Sequence, residues 1–184
     1  LTLDEGDELI AARLSTGDEY IFLATWEGMA SRFKESDVRA MGRQARGVRA
    51  MDLAESDYLV SAEVVSEEGL ILSVSEKGFG KRTPLGRYRL TGRGRKGVIN
   101  MKTTNKTGNV VAALSVKEDS DVMTITKDGK IIRIESAEIR KVGRSSQGVV
   151  VVRMEEGDQV AASCVIPEVA ENGSDSQQEE LPLQ

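Results

Sequence analysis

The residues of this chain best suited to chemistry are arginines that recur at a fixed spacing. Three sets return every 50 or 51 residues, and each set gives one guanidinium group to each repeat. A guanidinium group stays charged and carries several donors that fit phosphate oxygens, so a regular series favours a phosphate backbone without base readout. The sets are Arg32, Arg82 and Arg133; Arg39, Arg89 and Arg140; and Arg43, Arg93 and Arg144.

Charge is strongly segregated along the chain. The net charge is -5, yet the segment from Lys77 to Lys117 holds 11 basic side chains and no acidic one. Solvated surfaces usually mix both signs, so this block favours a polyanionic partner. We therefore predict that a polyanion with a phosphate backbone binds the repeated arginines together with the cations of the block, which are Lys77, Lys81, Arg82, Arg87, Arg89, Arg93, Arg95 and Lys96.

One set of arginines has a second interpretation. Arg32, Arg82 and Arg133 lie within predicted strands, where they could bridge neighbouring units and pair with carboxylates such as Asp37. The sequence leaves this structural role and the phosphate-binding role open.

No catalytic, metal or cofactor site can be read from the sequence. The chain has no histidine and one cysteine, Cys164, which excludes histidine-dependent nucleophile pairs and a cysteine-based zinc site. Gly92 to Gly97 fits the dinucleotide pattern G-x-G-x-x-G, but extended residues follow it and the other copies keep only the outer glycines, which favours a turn. We interpret the acidic cluster at residues 4–8 as solvated turns and expect no enzyme activity in this chain.

The repeat that positions these side chains predicts an all-β fold. Anchors of the form Gly-Arg-x-x-x-Gly-Val lie at 42–48, 92–98 and 143–149. Such a period is typical of propeller blades, since one small sheet cannot bury its faces alone. Each unit is predicted to hold four strands, in the middle copy over 47–53, 58–65, 70–74 and from Phe79 onward. Two-residue hairpins are predicted at Gly28, Gly78 and Gly129.

The repeat also defines the domain organisation. Residues 3–10 match 53–60 and 154–160, so we predict three blades over residues 1–166. Residues 167–184 are polar and acidic, which predicts a disordered tail, and we hypothesise that this tail competes with the polyanionic partner for the basic block. There is no run of apolar residues that would span a membrane. With a single cysteine and no initiator methionine, we expect a fragment of a cytoplasmic protein.

Several motifs together resemble one known family. They are Phe79-Gly-Lys-Arg-Thr-Pro, Tyr88-Arg, the anchor at 92–98, Asp128-Gly-Lys-Ile-Ile-Arg-Ile and the anchor at 143–149. These are similar to the C-terminal domain of the DNA gyrase A subunit over residues 1 to about 166. The resemblance implies a β-pinwheel, a ring of six four-stranded blades that lend strands to their neighbours, with the last three blades in this chain. It also implies that duplex DNA wraps around a basic perimeter so that ATP-dependent strand passage introduces negative supercoils.

The resemblance has limits and rivals. The family's box Q-[K/R]-R-G-G-[K/R]-G is not matched, because Thr91 replaces its glutamine and Arg95 a glycine. The resemblance implies that the cleavage tyrosine and the ATP and Mg²⁺ sites lie elsewhere in the holoenzyme, whose remaining A-chain domains and whose B chain would be the partners. The equivalent C-terminal domain of topoisomerase IV is the close alternative. A propeller-like protein-interaction scaffold, with internally paired arginines, is the alternative from another class.

Overall fold

The computed structural model describes residues 3–166, which form eleven β-strands and no α-helix. Three single turns of 3-10 helix lie at Glu35–Asp37, Leu85–Arg87 and Ser136–Glu138. The strands are β1 (Tyr20–Thr25), β2 (Met29–Lys34), β3 (Leu59–Val65), β4 (Leu70–Ser75), β5 (Phe79–Pro84), β6 (Val98–Ile99), β7 (Val110–Val116), β8 (Asp121–Thr126), β9 (Ile131–Glu135), β10 (Val149–Val150) and β11 (Val160–Ile166). The predicted all-β repeat fold is therefore confirmed.

The strands form three antiparallel sheets, one for each repeat. Blade 1 has the order β3-β1-β2-β6, blade 2 has the order β7-β4-β5-β10, and blade 3 has the order β11-β8-β9. The inner strands β3, β7 and β11 contact one another in sequence. Blade 3 thus has three strands within residues 3–166, where four were predicted.

Neighbouring blades exchange a short outer strand. β6 follows blade 2's β5 in the chain but pairs with β2 of blade 1, where Val98 lies opposite Ala30. β10 follows β9 of blade 3 but pairs with β5 of blade 2, where Val149 lies opposite Gly80. The strand exchange implied by the family resemblance is present at both junctions.

The hairpin turns carry the predicted glycines but are longer than predicted. Three residues separate β1 from β2 and β4 from β5, and four separate β8 from β9. Gly28, Gly78 and Gly129 each have positive φ, and each amide donates to the carbonyl oxygen three residues earlier at 3.0 Å. A type I turn followed by a left-handed glycine gives this geometry, which replaces the predicted two-residue turn.

The strand predicted over 47–53 is wrong. Met51 makes an isolated bridge to Arg95, and no regular strand forms there. The equivalent segments become β6 and β10 because β2 and β5 offer them a free edge. Within residues 3–166, no earlier blade offers such an edge to 47–53, which explains the difference.

The core lies mainly between blades. Phe22 and Ala24 of blade 1 pack with Ile71 of blade 2 and with Leu85 and Tyr88, which lie between β5 and β6. A second cluster joins β4 and β7 of blade 2 to Val122, Ile139 and Val160 of the blade 3 repeat. Because blade 2 is covered on both faces, every residue of β4 is buried, and its sequence lacks the polar alternation of a half-exposed strand.

No helix in residues 3–166 is long and apolar enough to cross a membrane.

Candidate nucleic-acid interface

The basic residues concentrate in three segments that link an outer strand to the next inner strand. We call them connector 1 (residues 35–52), connector 2 (residues 85–102) and connector 3 (residues 136–153). Their basic side chains number four, six and four, and their acidic side chains number three, none and one. Connector 2 is therefore the most cationic of the three.

Backbone hydrogen bonds hold the connectors against one another. The Gly94 amide donates to the Ala50 carbonyl oxygen at 2.7 Å, and the Asp52 amide donates to the Arg95 carbonyl oxygen at 3.1 Å. One repeat later, the Lys102 amide donates to the Ser146 carbonyl oxygen at 3.1 Å. The glycine anchors therefore lie in a ladder, and the repeat brings their cations onto neighbouring segments.

The glycines of the anchors make this close contact possible. Gly97 has a φ of 80°, and a Cβ there would lie 2.2 Å from the Ala30 carbonyl oxygen. Gly148 has a φ of 79°, and its Cβ would lie 2.6 Å from the Gly80 carbonyl oxygen. Each glycine directly precedes an exchanged strand. The G-x-G-x-x-G match therefore belongs to a turn that enters β6, as predicted, and no helix follows it.

The arginines of the anchors are partly occupied by backbone carbonyls. Arg93 donates from Nε to the Asp37 oxygen at 3.0 Å and from a terminal nitrogen to the Arg49 oxygen at 3.1 Å. Arg144 repeats the second contact with the Ile99 oxygen at 3.1 Å. These arginines tie one connector to the preceding one and leave other donors available for a ligand.

Four cations of connector 2 make no such contact. Each side chain is exposed and forms no hydrogen bond or ion pair with any residue in 3–166. We call them the free cations, and they are Arg87, Arg89, Arg95 and Lys96. Arg39 and Arg140, which match Arg89 in connectors 1 and 3, are likewise exposed without a side-chain partner in the described part of the chain. Arg43 in connector 1 is exposed as well.

The prediction that Arg32 and Arg82 bind DNA at the surface is wrong, because both side chains are buried. They are 7% and 4% exposed, respectively. Arg82 donates to the Ile139 oxygen at 2.7 Å, the Ala137 oxygen at 3.0 Å and the Glu118 carboxylate at 2.6 Å. Ile139 and Ala137 belong to the blade 3 repeat, and Glu118 lies in the link from β7 to β8. Hydrogen bonds from Lys141 and Arg82 lower the pKa of Glu118.

Arg32 makes the equivalent contacts one repeat earlier. It donates to the Leu85 oxygen at 3.2 Å and to the Glu67 oxygen at 2.9 Å, and its guanidinium lies 4.5 Å from the centre of the Tyr20 ring. The alternative role as a bridge between blades is therefore observed for both arginines. The partners are chiefly carbonyl oxygens of the next repeat, and Asp37 is not among them.

Arg133, the third member of the set, is exposed and lies in blade 3. It pairs with Asp121 of its own blade. Within residues 3–166 there is no following blade whose carbonyls could receive it, which is why its position differs from those of Arg32 and Arg82.

The prediction of a surface position is also wrong for Lys81. It is fully buried, and Nζ donates to the Gly143 oxygen at 2.9 Å and the Arg144 oxygen at 2.6 Å. Burial, with a smaller effect from the charge of Arg144, lowers the pKa of Lys81 to about 7. Lys77 is exposed, and its Nζ donates to the Asn105 oxygen.

Sequence reasoning did not select two exposed cations at the ends of connectors. Lys102 ends connector 2 and Arg153 ends connector 3, and they occupy equivalent repeat positions. Their shared register, 51 residues apart, was the signal that could have found them. In residues 3–166, no group of three or more acidic or cysteine side chains is arranged to hold a metal ion.

Comparison with known proteins identifies the repeat. The family described as "DNA gyrase C-terminal domain, beta-propeller" matches residues 19–66, 69–117 and 120–164, which correspond to the three repeats. The DNA gyrase A subunit of Aminobacterium colombiense is 40% identical over 173 residues, which cover 94% of this chain and 21% of that protein. The equivalent protein from Escherichia coli is 42% identical over 160 residues, which cover 87% of this chain and 18% of that protein.

Solved structures agree with the family assignment. A DNA gyrase A C-terminal domain matches with a TM-score of 0.84 and 28% identity, over 91% of this chain and 57% of that one. A C-terminal domain of DNA topoisomerase IV matches with a TM-score of 0.85 and 26% identity, over 90% of this chain and 52% of that one. The chain spans about a fifth of the length of its gyrase relatives. With all three repeats matched, this chain belongs to the family of DNA gyrase C-terminal domains.

Proposed function

We propose that this chain is a DNA-wrapping module from the A subunit of a DNA gyrase. In this proposal, duplex DNA bends along the connectors, and the wrap serves ATP-dependent strand passage that introduces negative supercoils. The chain itself carries no reaction: DNA cleavage, ATP and Mg²⁺ belong to the other domains of the gyrase A chain and to the gyrase B chain. The cytoplasm of a bacterium is the compartment that this function requires.

The observation that carries the proposal is the set of free cations on connector 2. Four exposed charges without internal partners in residues 3–166, on a segment without any acid, make this surface locally positive, so it should attract a polyanion. A duplex offers one phosphate charge per about 1.7 Å of its axis, so it can satisfy several of these charges at once.

The ladder of connectors supports a wrapped path for the DNA. Hydrogen bonds between connectors place the anchors of successive blades side by side, and each anchor carries an arginine at the same position. Cations repeated on successive blades can follow a bent backbone and need no base contacts. We therefore expect weak sequence preference and strong dependence on salt.

The binding test compares two triple charge reversals. Arg89→Glu, Arg95→Glu and Lys96→Glu remove three free cations, whereas Lys34→Glu, Lys117→Glu and Lys127→Glu change the same charge at strand ends and a hairpin. We expect the first variant to weaken binding to linear duplex DNA about tenfold or more, and to flatten the plot of log affinity against log salt by about 3, since each phosphate contact contributes about 0.9. Equal losses in both variants, or no salt dependence in the wild type, would contradict the proposal.

Wrapping is tested separately from binding. Ligation of a nicked plasmid in the presence of the chain traps any writhe as a change in linking number, and we expect a change that the connector 2 variant abolishes. Binding without any such change would leave a DNA-binding module that does not wrap. No binding of plasmid DNA by the wild type would instead favour the protein-interaction scaffold.

The similarity to a topoisomerase IV domain makes that enzyme the second candidate. The matched family and the relatives that are 40% and 42% identical favour gyrase. The full-length A chain, combined with the gyrase B chain and ATP, should introduce negative supercoils into relaxed plasmid if this is correct. Relaxation or decatenation without negative supercoiling would favour topoisomerase IV.

A further inference from the structure

Lys81 is a buried lysine whose position differs from that of every cation in the proposed interface. Its side chain runs from β5 of blade 2 to the third anchor, Gly143–Val149, where Nζ meets the Gly143 and Arg144 carbonyl oxygens at 2.9 and 2.6 Å. Burial of an amine is costly, so a fully buried lysine needs a reason. Its contacts indicate that the reason is the anchor that it holds.

The number of acceptors matches an uncharged amine. A neutral amine has two protons and an ammonium group has three, and only two acceptors lie within hydrogen-bond distance of Nζ in residues 3–166. A third proton would be buried without a partner. The uncharged form therefore fits this position better than the charged form.

The surroundings contain one charge that acts on Lys81. Arg144 lies on the anchor itself, and its positive charge disfavours a second cation. Opposite Lys81 on β4 is Ser73, and β10 contributes Val149 and Val150 to the other edge of β5. Tyr88 of connector 2 stays neutral because burial raises its pKa.

The other two blades lack this contact. Ser31 is the equivalent residue in blade 1, and its buried hydroxyl has no hydrogen-bond partner within residues 3–166. Ile132 is the equivalent residue in blade 3. The anchor at 92–98 is thus held by the backbone ladder and Arg93, while the anchor at 143–149 has an additional tether.

We propose that Lys81 is a positioning residue that, as an uncharged amine, fixes the third anchor so that Arg144 is presented to DNA, and that its protonation loosens this anchor. The inference rests on the proposed function only for the DNA step. The tether itself is a property of the free protein and can be measured without DNA. Because the pKa of Lys81 is about 7, the anchor should respond to pH near neutrality.

The test measures hydrogen exchange of the 143–149 peptide in the free chain, corrected for the intrinsic pH dependence of exchange. We expect Lys81→Met to speed exchange there about tenfold at pH 8, as the loss of one or two net hydrogen bonds implies. The peptide at 92–98 serves as an internal control and should not change. Ser31→Ala is the matched variant and should leave both peptides as in the wild type, since its hydroxyl has no partner among the described residues.

The pH profile separates the tether from a merely structural role. In the wild type, exchange of 143–149 should be slow at pH 8.5 and become several-fold faster at pH 6, and Lys81→Met should show no such step. A flat wild-type profile would overturn the proposal even if the Lys81→Met chain failed to fold. Unchanged exchange in a folded Lys81→Met chain would overturn it as well.

The proposed presentation of Arg144 to DNA is tested separately, by the affinity for duplex DNA and its dependence on salt. Lys81→Met should weaken duplex binding about threefold and lower the salt slope by about 1, the loss of one phosphate contact. An altered anchor with unchanged DNA affinity would refute the presentation of Arg144 while leaving the tether intact. Loss of binding in the connector 2 variant does not depend on this result, so failure of this inference and failure of the proposed function can be told apart.

Discussion

The two junctions between blades have the same backbone arrangement but differ in the contacts of their side chains. In both, an outer strand is exchanged, the connectors form a hydrogen-bonded ladder, and a buried arginine reaches carbonyl oxygens of the next repeat. At the first junction, connector 2 carries free cations. At the second junction, Lys81 and Glu118 add internal contacts to connector 3.

This difference shows that the repeats of one fold can have different roles at equivalent positions. The anchor glycines and the ladder fix where every connector runs, and the remaining positions are free to vary. In connector 2 these positions carry exposed cations, whereas in connector 3 several of them make contacts with the neighbouring blade. Equivalent positions in the sequence therefore do not imply equivalent roles.

The largest expected effect is the loss of the buried arginine at the second junction. Arg82→Met leaves carbonyl oxygens and the Glu118 carboxylate without their donor, so we expect the free energy of unfolding to fall by about 3 kcal/mol. Arg32→Met should cost less, about 2 kcal/mol, because Nε of Arg32 is buried without a partner in residues 3–166 and less is lost. Urea denaturation measures both.

Arg133→Met provides the control for this pair. Arg133 is exposed and bridges no blades within residues 3–166, so its replacement should change stability by about 0.5 kcal/mol or less. A cost at Arg133 equal to that at Arg82 would show that burial between blades is not the cause.

Charge reversal should separate the two connectors by their DNA affinity. Arg89, Arg95 and Lys96 changed to glutamate in connector 2 should weaken binding about tenfold or more. The same change at Arg140, Lys141 and Arg153 of connector 3 should cost about threefold, because Lys141 is already paired with Glu118. Filter binding at two salt concentrations measures both affinities. Equal losses in the two variants would show that connectors 2 and 3 do not differ in their contribution to DNA binding.

Alanine at the anchor glycines should affect both junctions alike. Gly97→Ala and Gly148→Ala each place a Cβ against a carbonyl oxygen at positive φ, so we expect each to cost about 2 kcal/mol in unfolding free energy. Gly92→Ala and Gly143→Ala are matched controls in open space and should be nearly neutral. A cost at one junction only would mean that the backbone ladder is not shared.

Lys81 should also make the stability of the second junction depend on pH. The pKa of Lys81 is lowered to about 7 in the folded chain, so between pH 7 and 10 the unfolded chain binds more protons at this residue. Stability relative to Lys81→Met should therefore rise with pH from about 7 to about 9.5, by of order 1 kcal/mol per unit at most, and level off below about pH 7. Chemical denaturation across this range measures the difference, and a falling difference would contradict the burial of Lys81 as a neutral amine.

The sequence predicted the middle strands well because local signals agree there. Apolar runs bounded by glycine turns gave β3, β4 and the start of β5 within one residue. The turn lengths were wrong because a glycine specifies positive φ but not how many residues precede it. The segment 47–53 was wrong because a strand needs an edge to pair with, and that edge belongs to another blade.

Three of the predicted site residues, Arg32, Arg82 and Lys81, show the same limit, because all three are buried. The period of 50 or 51 residues correctly grouped Arg32 with Arg82, and Arg93 with Arg144. It could not say which group lies inside, because a charged side chain within a strand points to whichever face the neighbouring blade covers. The disordered acidic tail predicted for 167–184 lies outside the described residues and stays a prediction.

The sequence by itself determined the repeat, the all-β class, the family and the acid-free block of cations, since all of these are properties of local pattern and composition. Tertiary structure decided which cations are free, which contact a neighbouring blade and which lysine is buried. Burial and hydrogen bonding depend on the strand exchanged from the next repeat about 50 residues away, and no local pattern records that partner.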